Sequence, residues 1–365
     1  MKATLAKTDF QRGISYVQNV VPSRSALPII SNVLLELEKD QLKLSATDLR
    51  VGIECTVPAR VGSGGKLSVS AMRLAEIARE LPEKDIAIES TRDNALSVRC
   101  DKIFFKILGL AGDEFPALPT ISAKTPLTFG QRELREMFQK TAFAISAEQA
   151  RYTLTGLLLD IDDGTARVVA TDGRRLSYAQ KSIETPKGYK IAAIIPDKMV
   201  NEIIRLMKGD GEVRVEIGEN QITFSFDSIR LVSQLIEGNF PDYKAVIPKK
   251  YDKEVLVDTF ELTMATRRAA AVTSREFNSV KIHIRKGLMV LSAATPDVGE
   301  AEDEISASYD GKELDIVFNP DYMLDALGTI ETDRTVLQLR DETSPGVLKP
   351  YGSEDYIYVI MPIKV

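Results

Sequence analysis

Apolar and polar residues alternate along much of the chain, as in "VRVEI" and "ITFSF". Period-two alternation predicts half-buried antiparallel strands. Between strands the period lengthens. In "SAMRLAEIARELP", Met72, Leu74, Ile77, Ala78 and Leu81 recur near helical spacing, with Arg73, Glu76, Arg79 and Glu80 opposite them. Pro82 ends that helix. The same reasoning predicts helices over 72–81, 131–143, 197–208, 258–271 and 320–328. The helix in "PDKMVNEIIRLMKGD" is expected to expose Lys198, Glu202, Arg205 and Lys208. Antiparallel strands with about two helices per unit imply an α+β plan.

The pattern repeats. "NVLLELEKDQLKLSATDLRVGI" from Asn32 matches "GLLLDIDDGTARVVATDGRRLSY" from Gly156, and more weakly "SVKIHIRKGLMVLSAATPDVGEAE" from Ser279. Asp48 and Asp172 stand 124 residues apart, as do Thr171 and Thr295. "GDEFPAL" near Phe115 returns as "EGNFPDY" near Phe240. A period this long is a domain, not a solenoid turn. Three similar domains are expected, over 1–124, 125–249 and 250–365.

Composition changes this picture little. The chain has 365 residues, 44% hydrophobic and 27% charged, with two cysteines and no tryptophan. Cys55 and Cys100 form no disulfide framework, which favours a reduced, cytoplasmic protein. No signal peptide or membrane span is evident. Net charge is −6, against a generic nucleic-acid binder. The three domains carry +2, 0 and −8, which suggests head-to-tail self-association of a basic end with an acidic end. Glu300, Glu302 and Glu304 would supply the acid, and "IFFKIL", with Phe105 and Ile107, is a candidate edge strand.

Catalytic chemistry is sparse. His283 is the single histidine, in a strand-like segment. "GSGGKLS" puts Leu67 where a phosphate loop needs Ser or Thr, and precedes a strand. "DIDDG" lacks the spacing of a calcium loop and reads as a hairpin turn. No metal or cofactor is expected. An enzyme using Asp160, Asp162 and Asp163 stays open as one rival, and a repeat-built adaptor that only binds peptides as another.

"SRSALPIISNVLLE", "ATDGRRLS", "EGNFPDYKAVIP", "FNPDYMLDAL" and the terminal "YVIMPIKV" together resemble the bacterial DNA polymerase III beta subunit family, the sliding clamps, along the whole chain. The resemblance implies three similar domains per subunit, and two subunits closed head to tail into a ring around duplex DNA. Helices would line the hole, with antiparallel sheets outside. It implies a non-catalytic processivity factor that tethers the replicative polymerase. The polymerase, clamp loader and repair proteins would bind through short linear peptides.

The matching DNA-contact positions are Arg24, Arg151 and Tyr152, joined by the basic helix residues Arg73, Arg79, Lys198 and Arg205. Such contacts would be sequence-independent. The matching peptide cleft comprises Leu154, Thr171, Gly173, Arg174, Arg175, Leu176, Pro241, Val246, Val359, Met361, Pro362 and Ile363, with Asn319 and Tyr322 nearby. Arg174 stands where the family often has histidine. Thr153 and Met72 replace a tyrosine and an arginine of some members. The subunit contact maps to Phe105 and Ile107 on one side and Ala271 and Val272 on the other. Ala271 is smaller than the residue some members carry, which implies less apolar burial at that seam.

Overall fold

A computed structural model describes residues 1–22, 25–121, 125–296 and 298–364. The chain forms two compact units. One joins Met1–Leu134 to Lys198–Leu235, and the other joins Arg135–Asp197 to Ile236–Val365. Among the described residues each unit is built on one antiparallel sheet, of 13 and 12 strands. The middle third of the sequence is shared between them. Its strand Ile229–Gln234 pairs with Val51–Pro58 in the first unit, and its strand Arg175–Ser182 pairs with Tyr356–Ile360 in the second.

The predicted helices form at Ala71–Glu80, Gln131–Ala142, Asp197–Leu206, Thr259–Ala270 and Pro320–Leu327. Their starts are chemically marked. Ser70 Oγ accepts from Arg73 N, Asp258 Oδ1 from Glu261 N, and Asn319 Oδ1 from Asp321 N and Tyr322 N. Each cap satisfies N–H groups that have no partner inside the helix. The helix Lys7–Val17 was not foreseen. It buries Phe10, Ile14 and Val17, a signal present in the sequence but weakened by Lys7, which is itself buried against Glu83.

Two expectations about helix faces are corrected. Met72 is 62% exposed, and the buried stripe is Ala71, Leu74 and Ala78. Met72 follows Ala71 at about 100° round the helix and so falls off that stripe. On Asp197–Leu206, Glu202 is buried rather than exposed, and Lys198 and Arg205 are half-buried. Arg205 donates to the Glu202 carboxylate and to the Ser15 and Tyr16 carbonyls, at 2.5, 3.0 and 2.8 Å respectively. Those carbonyls lie in the last turn of Lys7–Val17, where no intrahelical donor remains. A buried carboxylate is tolerated because its cation is beside it.

The "DIDDG" stretch is a two-residue hairpin turn, with Asp163 and Gly164 both at positive φ. "GSGGKLS" joins two strands. His283 lies on the strand Val280–Arg285 with Nδ1 2.8 Å from Asp315 Oδ1. Cys55 and Cys100 are buried and unbridged, and burial pushes the Cys55 thiol up to about 12. Among the described residues no helix is long and apolar enough to cross a membrane.

Candidate functional site: a cleft beside the Thr171–Arg175 turn

"ATDGRRLS" folds as a tight turn between the strands Thr165–Thr171 and Arg175–Ser182. Its shape comes from its own side chains. Thr171 Oγ1 accepts from Gly173 N at 3.0 Å and donates to Arg175 O at 2.6 Å. Asp172 Oδ1 accepts from Arg174 N and Arg175 N at 2.9 and 3.1 Å. Short polar side chains commonly close turns this way. Gly173 has φ +86, and a Cβ there would clash with Arg151 Nη1. That arginine donates to Asp172 O at 3.1 Å.

Arg175 locks the turn to its surroundings. Its guanidinium donates to Asp172 Oδ2 at 3.0 Å, to Asp325 Oδ2 at 2.5 Å and to Phe143 O at 2.6 Å. It lies 4.3 Å from the centre of the Tyr322 ring. Burial works against its charge, but the Asp325 carboxylate and its other neighbours hold it firmly protonated. Arg175 is therefore a structural clip, not a free cation.

Next to the turn lies a cavity of about 130 Å³. Ten of the expected residues line it: Leu154, Thr171, Gly173, Arg174, Arg175, Leu176, Pro241, Val246, Val359 and Met361. Strand pairing sets two of them opposite each other, Leu176 against Val359. Met361 N then donates to Arg174 O at 2.9 Å, carrying the C-terminal segment along the rim. Phe240 and Tyr243 also line the cavity and were not expected, although both lie in the repeated "EGNFPDY". Leu154, Leu176 and Val359 form a buried floor, while Val246 and Met361 are 43% and 41% exposed. An apolar pocket with a polar rim suits one or two apolar side chains of a peptide.

Four expected cleft residues do not line it. Asn319 is spent as a helix cap, and Tyr322 lies under Arg175. Ile363 N bonds Val317 O at 2.8 Å, which takes Ile363 into a separate hollow with Lys281 and Ala294. Pro362, between Met361 and Ile363, lines neither. The chain leaves the cleft at Met361 because its next backbone donor is committed elsewhere.

The three carboxylates of the rival enzyme reading each have their own partner. Asp160 accepts the Tyr243 hydroxyl, Asp162 faces Lys190 at 3.0 Å, and Asp163 accepts Gly188 N.

Comparison with known proteins settles the family. DNA polymerase III beta subunit models match from end to end: the N-terminal domain over 1–119, the central domain over 128–242 and the C-terminal domain over 244–364. The chain belongs to the DNA polymerase III beta subunit family. The beta sliding clamps of Pseudomonas aeruginosa and Chlamydia muridarum are each 32% identical to it, across 100% of this chain and 100% and 99% of theirs. A Pseudomonas aeruginosa sliding clamp bound to griselimycin superposes with a TM-score of 0.97 at 32% identity, with both chains fully covered. The Bacillus subtilis sliding clamp superposes at 0.96 and 26%, covering 100% of this chain and 99% of that one. As a beta clamp subunit the chain has the three-domain clamp fold, and it is a DNA polymerase processivity factor without catalytic activity.

The remaining expected residues of this clamp subunit fall on two kinds of surface. Arg73 and Arg79 are exposed on Ala71–Glu80, with Arg73 2.9 Å from Glu76. Arg151 and Tyr152 are exposed on the short helical segment Gln149–Leu154. Lys198 departs from expectation, since its ammonium is held by Asp48 at 2.6 Å and Val20 O at 2.8 Å. Arg24 lies outside the described residues.

The second surface is strand edge. Ile103–Leu108 pairs along its length with Ala95–Cys100, and its other side pairs only from Gly109 onward. Phe104 and Leu108 are 48% and 76% exposed, while Phe105 and Ile107 are half-buried. Gly299–Ser306 pairs with Leu288–Thr295, and on its other side only Ala307 and Ser308 are paired. Glu300, Glu302 and Glu304 are exposed there. Ala271, which ends the helix Thr259–Ala270, is exposed, and Val272 is half-buried.

Proposed function

We propose that two copies close head to tail into a ring around duplex DNA, the edge Ile103–Leu108 of one pairing with the edge Gly299–Ser306 of the other. The complementarity of these edges carries the reading. Each has backbone donors and acceptors without strand partners among the described residues, one is apolar with Lys106, and the other is acidic. Unprotected edges of this kind invite strand addition. Phe105, Ile107, Ala271, Val272, Glu300 and Glu302 belong to this contact. DNA is met by Arg73, Arg79, Arg151 and Tyr152, while Lys198 and Arg205 add positive potential from fixed positions. The cleft takes short linear peptides of the replicative polymerase, the clamp loader and repair proteins, in the cytoplasm.

The test loads the protein onto nicked circular DNA with a bacterial clamp loader and ATP, washes at high salt, and linearises half the sample. Retention on circles with loss from linear DNA is expected, because salt screens phosphate contacts but cannot open a ring. Equal loss from both, with a loader shown to load a related clamp, overturns the ring. Griselimycin, which relatives bind, is expected to displace a fluorescent peptide from the cleft.

A further inference from the structure

The cleft wall from Phe240 to Val246 rests on the buried cluster that holds Leu176 and Tyr243, against which Phe240 and Ile247 pack. Its helical part, Tyr243–Val246, has four residues and is capped by Asp242 through Lys244 N at 3.1 Å. A turn that short has no stability of its own. Its polar tether is Tyr243. This ring is buried beside Tyr178, with centroids 6.0 Å apart, and its hydroxyl donates to Asp160 Oδ2 at 2.6 Å. Asp160 lies on the strand Gly156–Asp162, in the sheet beneath.

The repeat supplies a control. In the first copy Leu118 occupies the position of Tyr243, and Gly52 that of Leu176. There Leu118 folds down onto the backbone, so that a Cβ on Gly52 would come within 2.5 Å of Leu118 Cδ2. In the second copy Leu176 and the larger Tyr243 share one buried cluster, and the Tyr243 hydroxyl is bonded to a carboxylate. Both line the cavity.

We infer that Asp160 is a positioning residue for the cleft: by accepting the Tyr243 hydroxyl it sets how closely the Phe240–Val246 wall packs on Leu176, and so decides how bulky an apolar anchor the cleft admits. This rests on the cleft being a peptide site. Without the tether the ring leans toward Leu176, and an aromatic anchor loses more than a leucine does.

The test measures two fluorescein-labelled peptides by anisotropy, one ending in Leu-Phe and the other in Leu-Leu, on the full-length protein. Binding of the peptides by the unaltered protein is read first, and its absence removes the peptide reading itself. In Tyr243→Phe and Asp160→Leu the Leu-Phe peptide is expected to lose about five-fold more affinity than Leu-Leu, the size of one hydrogen bond's effect. Asp160→Asn keeps an acceptor oxygen and is expected to restore the original ratio. An unchanged ratio in Tyr243→Phe, or equal loss for both peptides, overturns the inference and leaves Asp160 a merely structural residue. Tyr243→Phe removes one oxygen and keeps the test alive if Asp160→Leu fails to fold.

Discussion

Thr47–Val51 and Thr171–Arg175 are two copies of one turn with different surroundings. In both, the threonine hydroxyl and aspartate carboxylate make the same bonds to the backbone: Leu49 N to Thr47 Oγ1 at 2.9 Å, and Arg50 N and Val51 N to Asp48 Oδ1 at 2.9 and 2.7 Å. In both, a later strand closes the rim, with Gln234 N on Arg50 O and Met361 N on Arg174 O, each at 2.9 Å. The differences lie in what fills the frame. Asp48 holds Lys198, from 150 residues away, where Asp172 holds the neighbouring Arg175. Leu118 covers Gly52, while Tyr243 packs in one cluster with Leu176 and bonds Asp160. A polar Gln234 stands in the place of the adaptable Met361. Local chemistry makes the turn, and the side chains packed around it set what lies beside it.

The comparison breaks most severely at Arg175. Arg175→Ala removes the guanidinium from Asp172 Oδ2, Asp325 and the Phe143 carbonyl, and is expected to cost about 3 kcal/mol in urea unfolding and to abolish peptide binding. A variant as stable as the parent would show that the clip is dispensable.

Gly52→Ala forces a methyl against Leu118 and is expected to cost about 2 kcal/mol. Adding Leu118→Ala should recover much of that loss. A double-mutant cycle with no coupling would mean that the two residues are not in contact in solution.

Lys198→Ala is expected to cost about 1 kcal/mol at neutral pH, reduced by the water that reaches the ammonium. Burial opposes the charge on Asp48, yet the Lys198 bond and the N–H groups of Val51 and Arg50 set its carboxyl below 3.8. A depressed folded value means that this stabilisation is present above about pH 4 and is lost as pH falls through the folded value. Lys198→Ala should therefore flatten the acid limb of the stability curve, and an unchanged limb would assign it to other carboxylates.

The smallest effects fall at the left-handed position of each turn. Leu49 has φ +74, so Leu49→Gly relieves strain but adds freedom to the unfolded chain, for a net change within about 0.5 kcal/mol. Gly173→Ala removes that freedom but strains the turn and displaces Arg151, with an expected cost of about 1 kcal/mol. Equal and opposite shifts in melting temperature would instead make backbone entropy the only difference between the two copies.

The cleft residues came from the family resemblance, and the repeat made only the turn beside them legible. Asp172 and Gly173 announce a turn wherever they stand between strands, and the recurrence of Asp48 marks it as part of a domain. Phe240 and Tyr243 were overlooked although their motif was visible, since an apolar residue in a loop reads equally well as core. Asn319, Tyr322, Pro362 and Ile363 were placed in the cleft by resemblance. A helix cap, a ring under Arg175 and one backbone bond at Val317 put three of them to other uses and carry Pro362 past the rim. Lys198 and Arg205 looked like solvent-facing cations, because helical periodicity places a side chain on a face without saying what lies opposite that face.

By itself the sequence determined the α+β class, the long repeat, the strands and most helices, and the geometry of both turns. These depend on residues close together in the chain, where side-chain period and short polar bonds act directly. Only the tertiary structure decided that Glu202 is buried with Arg205, that Asp48 takes Lys198, and that Tyr243 reaches Asp160 where its twin Leu118 covers a glycine. Each is a contact between distant segments, set by which volume is already filled and which charge or hydroxyl still lacks a partner when the sheets close.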